Sequence, residues 1–299
     1  MHYDVIVLGS INLDVKALVT SYPRRGDTAT ARSITMLPGG KGSNQAVAAA
    51  KLGGKVAMLG AVGEDGAGKQ MLDNLSDWGV DTQFVMRNGN EGTGTFIVQV
   101  DQTSENTMVG TLGANDTITA AEVDTALDQM EAPVLLMQLE TSRESVLAAL
   151  KAGRRKGMYI ILDPAPADGF FPEALAYADC VTPNQQETER ITGIHVTDKV
   201  EAVKAAKTIA GMGPKTVIVK LGADGSVVLH EGEIYEIDSV KVHALDSVCA
   251  GDVFAGALAV NSAQHGDFLK AVNFANKAAA IKVSRVGNHQ VFPTLADMS

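Results

Sequence analysis

The stretch Asp246-Ser247-Val248-Cys249-Ala250-Gly251-Asp252-Val253-Phe254-Ala255-Gly256 carries a run of small residues and then a carboxylate, just where the apolar pattern Val253, Phe254, Ala257, Leu258, Val260 begins. That pattern predicts a helix starting near Ala250, whose first amides have no intrahelical partner. Free N–H groups and the positive end of the helix dipole favour an anion, and small side chains let a phosphate approach the backbone. Asp252, in the same first turn, can take a proton from a substrate hydroxyl where a phosphoryl group arrives. The same residues also serve as ordinary capping and packing groups at a helix start, so this segment alone leaves both readings open.

Other polar groups have similar double readings. In Pro38-Gly39-Gly40-Lys41-Gly42-Ser43-Asn44-Gln45, three glycines in four residues precede an alanine-rich helical pattern, so a ligand can lie against the backbone within reach of Lys41 and Asn44. Asn12 and Asp14, two apart in an extended segment, point the same way and offer donors and acceptors to adjacent sugar hydroxyls; they also suit a turn. Asn184 and Glu187, three apart at a helix start, can orient a hydrated magnesium ion or form a capping box. Gly63-Glu64-Asp65-Gly66-Ala67-Gly68-Lys69-Gln70 nearly spells a nucleotide P-loop, but Gln70 has no hydroxyl for magnesium and the two acids would repel phosphate.

These groups need elements to hold them. The run at 5–8 reads as a fully buried strand, and helix-like and strand-like segments alternate from 119 onward: helices near 119–129, 143–156, 186–192 and 198–211, strands near 133–139, 158–162 and 216–221. That order predicts an α/β fold with a mostly parallel central sheet covered by helices on both faces. Glu140, Asp163, Asn184, Gly222 and Gly225 follow the apolar runs, at the strand ends where such sheets bind ligands. Residues 15–38 and the hairpin over 93–111, with its polar turn at 101–106, predict a small separate sheet. The 299 residues suffice for one domain with an appendage or for two smaller ones.

With 45% hydrophobic and 20% charged residues and 30 glycines, the composition is that of an ordinary soluble enzyme. A net charge of -10 disfavours broad contact with nucleic acid or anionic membrane, and no apolar run approaches the roughly 20 residues of a membrane span. No basic leader precedes Tyr3-Asp4-Val5, so a cytoplasmic location is expected. Two cysteines, Cys180 and Cys249, support neither a disulfide framework nor a zinc site. The segment after the first strand lacks the second and third glycines of a dinucleotide fingerprint, which ranks a nicotinamide or flavin site low.

Taken together, Gly39-Gly40-Lys41-Gly42-Ser43-Asn44-Gln45-Ala46-Val47-Ala48, Asn184-x-x-Glu187 and the 246–256 stretch resemble the ribokinase-like (PfkB) carbohydrate kinase family over nearly the whole chain. The resemblance implies a single domain over 1–299 that phosphorylates a sugar hydroxymethyl group with ATP, with Asp252 as base and the amides of Cys249, Ala250 and Gly251 as anion hole. Its likeness is to the ribose-phosphorylating members, which implies ribose held by Asn12, Asp14, Gly40, Lys41, Asn44, Glu140 and Asp252 with O5 as acceptor. It places the nucleotide along Asn184, Lys220, Gly222, Gly225, Gly251 and Asn276, and magnesium-bound water on Glu187. It also implies potassium on groups of Asp246, Val248, Lys282, Arg285 and Gly287, although Val291 falls where the family usually offers a serine hydroxyl. Segments 13–38 and 93–111 become a lid, and pairing of two lids implies a homodimer. Lys220 replaces a common threonine beside the phosphates, which a lysine still reaches. Kinases of the same family acting on fructose, deoxyribose or a nucleoside remain alternatives, as does a non-catalytic sugar-binding regulator, against which Asp252 beside an intact hole argues.

Overall fold

The computed structural model describes residues 1–103 and 105–299. Along the chain the strands are β1 (Val5–Leu8), β2 (Asn12–Leu18), β3 (Ser33–Gly39), β4 (Val56–Gly63), β5 (Val85–Asn88), β6 (Gly94–Val100), β7 (Asn106–Thr111), β8 (Val134–Met137), β9 (Tyr159–Leu162), β10 (Cys180–Val181), β11 (Thr216–Lys220), β12 (Ser226–His230) and β13 (Glu233–Ile237). The helices are α1 (Lys41–Lys51), α2 (Gly66–Asp77), α3 (Ala120–Asp128), α4 (Arg143–Arg155), α5 (Gln185–Thr192), α6 (Lys199–Ala210), α7 (Ala250–His265) and α8 (Phe268–Val283). Nine strands form the central sheet in the order β13-β12-β11-β10-β9-β8-β1-β4-β5. From β11 to β5 every neighbour is parallel, and the β12–β13 hairpin adds an antiparallel edge.

Helices on both faces explain why β1 is continuously aliphatic and wholly buried. Its alternate residues serve different layers: Val5 and Val7 pack with residues of α1, α2, α7 and α8, while Ile6 and Leu8 pack with residues of α3, α4 and α6. Among the described residues no helix is long and apolar enough to cross a membrane.

The expected small sheet forms with the order β3-β2-β6-β7. The turn expected over 101–106 includes Ser104, which lies outside the described residues. Val15 is in register with Met36 and Ile97, and Ile97 with Val109, so these residues share one face; Met36, Ile97 and Val109 are exposed there. Strand alternation sends Asn12 and Asp14 to the opposite face.

Candidate active site

The site is assembled where α1 and α7 touch. A Cβ on Gly256 would lie 2.5 Å from the Gln45 carbonyl oxygen, so only glycine allows this approach, which brings the α1 side chains Asn44 and Gln45 onto Asp252. The Asp252 carboxylate, 8% exposed, accepts Asn44 Nδ2 at 2.9 Å and Gln45 Nε2 at 3.1 Å. Gln45 Nε2 also donates to Asp163 Oδ2 at 2.9 Å, and Gln138 Nε2 holds Gln45 Oε1 at 2.6 Å. Burial raises the Asp252 carboxyl above its ordinary range; Lys41 and the two amide donors pull it back, while Asp163 adds to the rise. A base so placed is less acidic than a free aspartate and accepts a proton more readily.

Helix α7 begins at Ala250, as the apolar pattern predicts, after Cys249 in the left-handed region at φ 61°. That conformation costs a non-glycine residue about 1–2 kcal/mol. The Ala250 N–H is engaged by the Ser247 carbonyl at 3.2 Å. Among the described residues the amides of Cys249, Gly251 and Asp252 have no partner, so two of the three expected anion-hole amides stand free, joined by that of Asp252.

On one side of Asp252 lie the groups expected to hold a sugar. The Glu140 carboxylate, just beyond β8, gathers the Ser10 hydroxyl, Asn12 Nδ2 at 3.4 Å and the Lys41 N–H at 3.2 Å. Asn115 Nδ2 donates to Asn12 Oδ1 at 2.8 Å, and its Oδ1 accepts the Ile11 N–H at 2.9 Å. Gly40 caps α1 at φ 89°, where a Cβ would lie 2.7 Å from the Ser10 carbonyl oxygen. Burial, then the charges of Glu140 and Asp252, push Asp14 up to about 6. Lys41 is held above its ordinary value because Asp252 and Glu140 outweigh the desolvation that would lower it.

On the other side a cavity of about 710 Å³ is lined by all six residues expected along a nucleotide: Asn184, Lys220, Gly222, Gly225, Gly251 and Asn276. Val240, Val242, Ala279, Ala280 and Val283 give it apolar walls. Asn276 Nδ2 is buried and has no partner among the described residues, an amide donor awaiting an acceptor. Lys220 Nζ pairs with Asp163 Oδ1 at 2.9 Å, and a Cβ built on Gly251 would lie 3.6 Å from it, so this ammonium flanks the α7 N-terminus.

Asn184 and Glu187 form the capping box: Glu187 Oε2 accepts the Asn184 N–H at 2.8 Å and Asn184 Oδ1 accepts the Glu187 N–H at 2.8 Å. Burial and then Asp163 raise the Glu187 carboxyl. Among the described residues no three His, Cys, Asp or Glu side chains cluster to hold a metal directly. Glu187 keeps unused lone pairs on its oxygens, so this donor set suits a hydrated magnesium ion carried by phosphates.

Where the resemblance implies potassium, the structure places a side-chain ammonium. Of the five residues, Asp246, Val248, Lys282, Arg285 and Gly287, the Lys282 side chain itself enters the space between the others, and its Nζ donates to the Asp246 carbonyl at 3.2 Å and Asp246 Oδ2 at 3.1 Å. Val291, which stands where the family usually offers a hydroxyl, has its carbonyl accepting Arg285 Nη1 at 3.3 Å. A sequence comparison sees position 282 as a backbone carbonyl; only the fold shows where its side chain goes.

Several site residues escaped the sequence reading. In sequence Gln45 stands only as part of the glycine motif and Asp163 only as a strand-end residue, neither with a role; Asn115 and Gln138 had no signal. His289 also had none: its Nε2 lies 2.8 Å from Asn44 Oδ1 and its Nδ1 2.7 Å from Asn74. Burial, helped by Lys51, drives His289 down to about 3, so the ring is neutral. Both ring nitrogens face amide oxygens, Asn44 Oδ1 and Asn74 Oδ1, and a neutral ring carries one N–H; placed on Nε2 it donates to Asn44 Oδ1, which keeps the Asn44 NH2 toward Asp252, and Nδ1 is then satisfied only when the Asn74 amide turns its NH2 to the ring.

Comparison with known proteins bears on this arrangement. The family described as pfkB family carbohydrate kinase matches residues 3–295. A protein of Haemophilus influenzae named ribokinase is 38% identical over 98% of this chain and 96% of its own length. A Salmonella typhi protein named deoxyribokinase is 31% identical, again over 98% and 96%. Among solved structures, Arabidopsis thaliana ribokinase complexed with ribose and ATP superposes with a TM-score of 0.92 at 29% identity, covering 100% of this chain and 98% of that one.

Proposed function

The chain belongs to the pfkB family of carbohydrate kinases, and from that premise we propose that it transfers the γ-phosphoryl group of ATP to O5 of D-ribose. One observation carries the reading: six separate nucleotide-side residues line one cavity that reaches the first turn of α7, where Asp252 sits, and Asp252 is bonded to Asn44 of α1, the helix whose Lys41 N–H meets Glu140. ATP lies along Asn184, Lys220, Gly222 and Gly225, with Asn276 as an amide donor to the nucleotide. Ribose is held by Asn12, Asp14, Gly40, Lys41, Asn44 and Glu140. Asp252 takes the O5 proton as O5 bonds to the γ-phosphorus and the bond to the β,γ-bridging oxygen breaks, releasing ADP. The amides of Cys249 and Gly251, with Lys41 and Lys220 nearby, meet the charge spread over the transferring group. Glu187 would hold the water shell of a magnesium ion carried in with ATP, which would supply further charge neutralisation.

The small sheet closes over the sugar as a lid, since Asp14 and Asn12 hang from its inner face. We assign its exposed outer residues Ile34, Met36, Ile97 and Val109 to pairing with a second copy, because so broad an apolar strand face is covered in a soluble oligomer. A cytoplasmic location, where ATP is available, fits the reading. The deoxyribokinase relative makes 2-deoxyribose the competing substrate. The test is competition kinetics with ATP and ribose, 2-deoxyribose or fructose: ribose is expected to show the highest kcat/KM. A higher value for either rival replaces the substrate and leaves the family standing.

A further inference from the structure

The cage behind the α7 N-terminus contains a cation that belongs to the chain itself. Lys282, in the last turn of α8, is fully buried. Its ammonium donates to the Asp246 carbonyl at 3.2 Å, to Asp246 Oδ2 at 3.1 Å and to the Arg285 carbonyl at 3.4 Å. Three N–H groups thus meet three acceptors, one of them a carboxylate, which is the condition under which an ammonium tolerates complete burial. The carboxylate is shared with the backbone, for Oδ2 also accepts the Gly287 N–H at 3.3 Å and Oδ1 accepts the Val248 N–H at 3.1 Å.

Asp246 and Val248 lead directly into the free amides of Cys249 and Gly251, so whatever holds Asp246 also sets the shape of the anion site. A metal ion seeking the same oxygens would touch the ammonium, and a single carboxylate would face two like charges. Other oxygens of the expected ring are engaged as well: the Lys282 carbonyl accepts the Arg285 N–H at 3.0 Å, and the Val291 carbonyl accepts the Arg285 guanidinium.

We propose that Lys282 is a positioning residue whose tethered ammonium takes the place of a free monovalent cation, holding the loop at 246–251 so that phosphoryl transfer proceeds without potassium. Its activity arm rests on the kinase reading; its stability arm rests on the cage alone. Ribose-dependent ADP formation is measured while choline chloride is exchanged for KCl at constant ionic strength, and melting temperatures are recorded in the same salts. Wild-type rate and melting temperature are expected to stay flat. Lys282→Ala, which empties the cage, loses about tenfold or more in choline. It regains rate and melting temperature with KCl or NH4Cl, in a saturable way. Lys282→Met fills the space without charge, and is expected to stay slow in every salt. A merely structural lysine would show no such rescue. Activation of the wild type by potassium of about tenfold overturns the proposal, and this arm decides even where the Ala variant does not fold. Lys282→Ala running at the wild-type rate in choline also overturns it, as does a folded Lys282→Ala that responds to no cation. If the wild type forms no ADP with ribose, the substrate reading fails instead, and the melting arm still tests the cage.

Discussion

On the sugar side of Asp252, Glu140, Asn12, Asn115 and Ser10 hold one another through side-chain hydrogen bonds. On the nucleotide side the cavity is lined by glycines, apolar walls and a few polar side chains such as Asn184 and Lys220, with an Asn276 amide that has no partner among the described residues. The difference is physical. A sugar must be told from its near relatives one hydroxyl at a time, and a rigid net of mutually oriented acceptors leaves a buried group unpaired when the hydroxyl is missing. A nucleotide offers a large flat base and a chain of anions, which an apolar slot and backbone amides accommodate without side-chain detail. Substrate choice in this protein therefore resides in side chains, and ATP binding largely in backbone and shape.

That contrast is tested hardest at the carboxylate between the two sides. Asp252→Asn is expected to keep both binding sites and lower kcat by about 10²–10⁴-fold, read by steady-state kinetics with KM for each substrate near its wild-type value. Near-normal turnover would remove Asp252 from the chemistry. The acid limb of the wild-type pH–rate profile is expected above the ordinary aspartate range, because burial raises this group and the base works only when deprotonated.

A smaller effect separates the sides. Asp14→Ala is expected to lower kcat/KM for ribose by about 10–100-fold, to narrow the gap from 2-deoxyribose, and to leave KM for ATP unchanged. A loss shared equally by both sugars would show that Asp14 does not read the 2-hydroxyl.

Asp14 also has a stability signature. Its carboxyl titrates at about 6 in the fold against 3.8 when free, so the folded state holds its proton over that window. The stabilisation is complete below the lower value and is lost as pH rises through the higher one. Asp14→Asn is therefore expected to melt a few degrees above the wild type at neutral pH, with the difference shrinking as pH falls toward 4 in calorimetric scans without ligand. On the nucleotide side Asn276→Leu is expected to have the least effect, raising KM for ATP about 5–10-fold, the worth of one hydrogen bond, with ribose kinetics unmoved.

Much of this architecture was legible from local pattern. The start of α7, the central strands β1, β8, β9 and β11 and the small sheet followed from apolar periodicity and turn residues, which depend on neighbours a few positions away. The six nucleotide-side residues lay in four separate stretches, and only the resemblance to a kinase family linked them before the fold gathered them around one cavity. Gln45 shows the limit: it sits inside a recognised motif, yet the partners it bridges, Asp163 and Asp252, lie 118 and 207 residues further along the chain.

The sequence by itself determined many of the helices and strands, where a free helix N-terminus meets a carboxylate, and which family supplies the chemistry, because short-range periodicity and motif order carry those facts. The tertiary structure alone decided the partners of buried charge. In sequence Lys282 is named only as one of the residues to which the resemblance gives a potassium ion. Whether its ammonium can be buried depends on acceptors at Asp246 and Arg285 converging on one point, and that convergence exists only when α8 packs against the loop before α7.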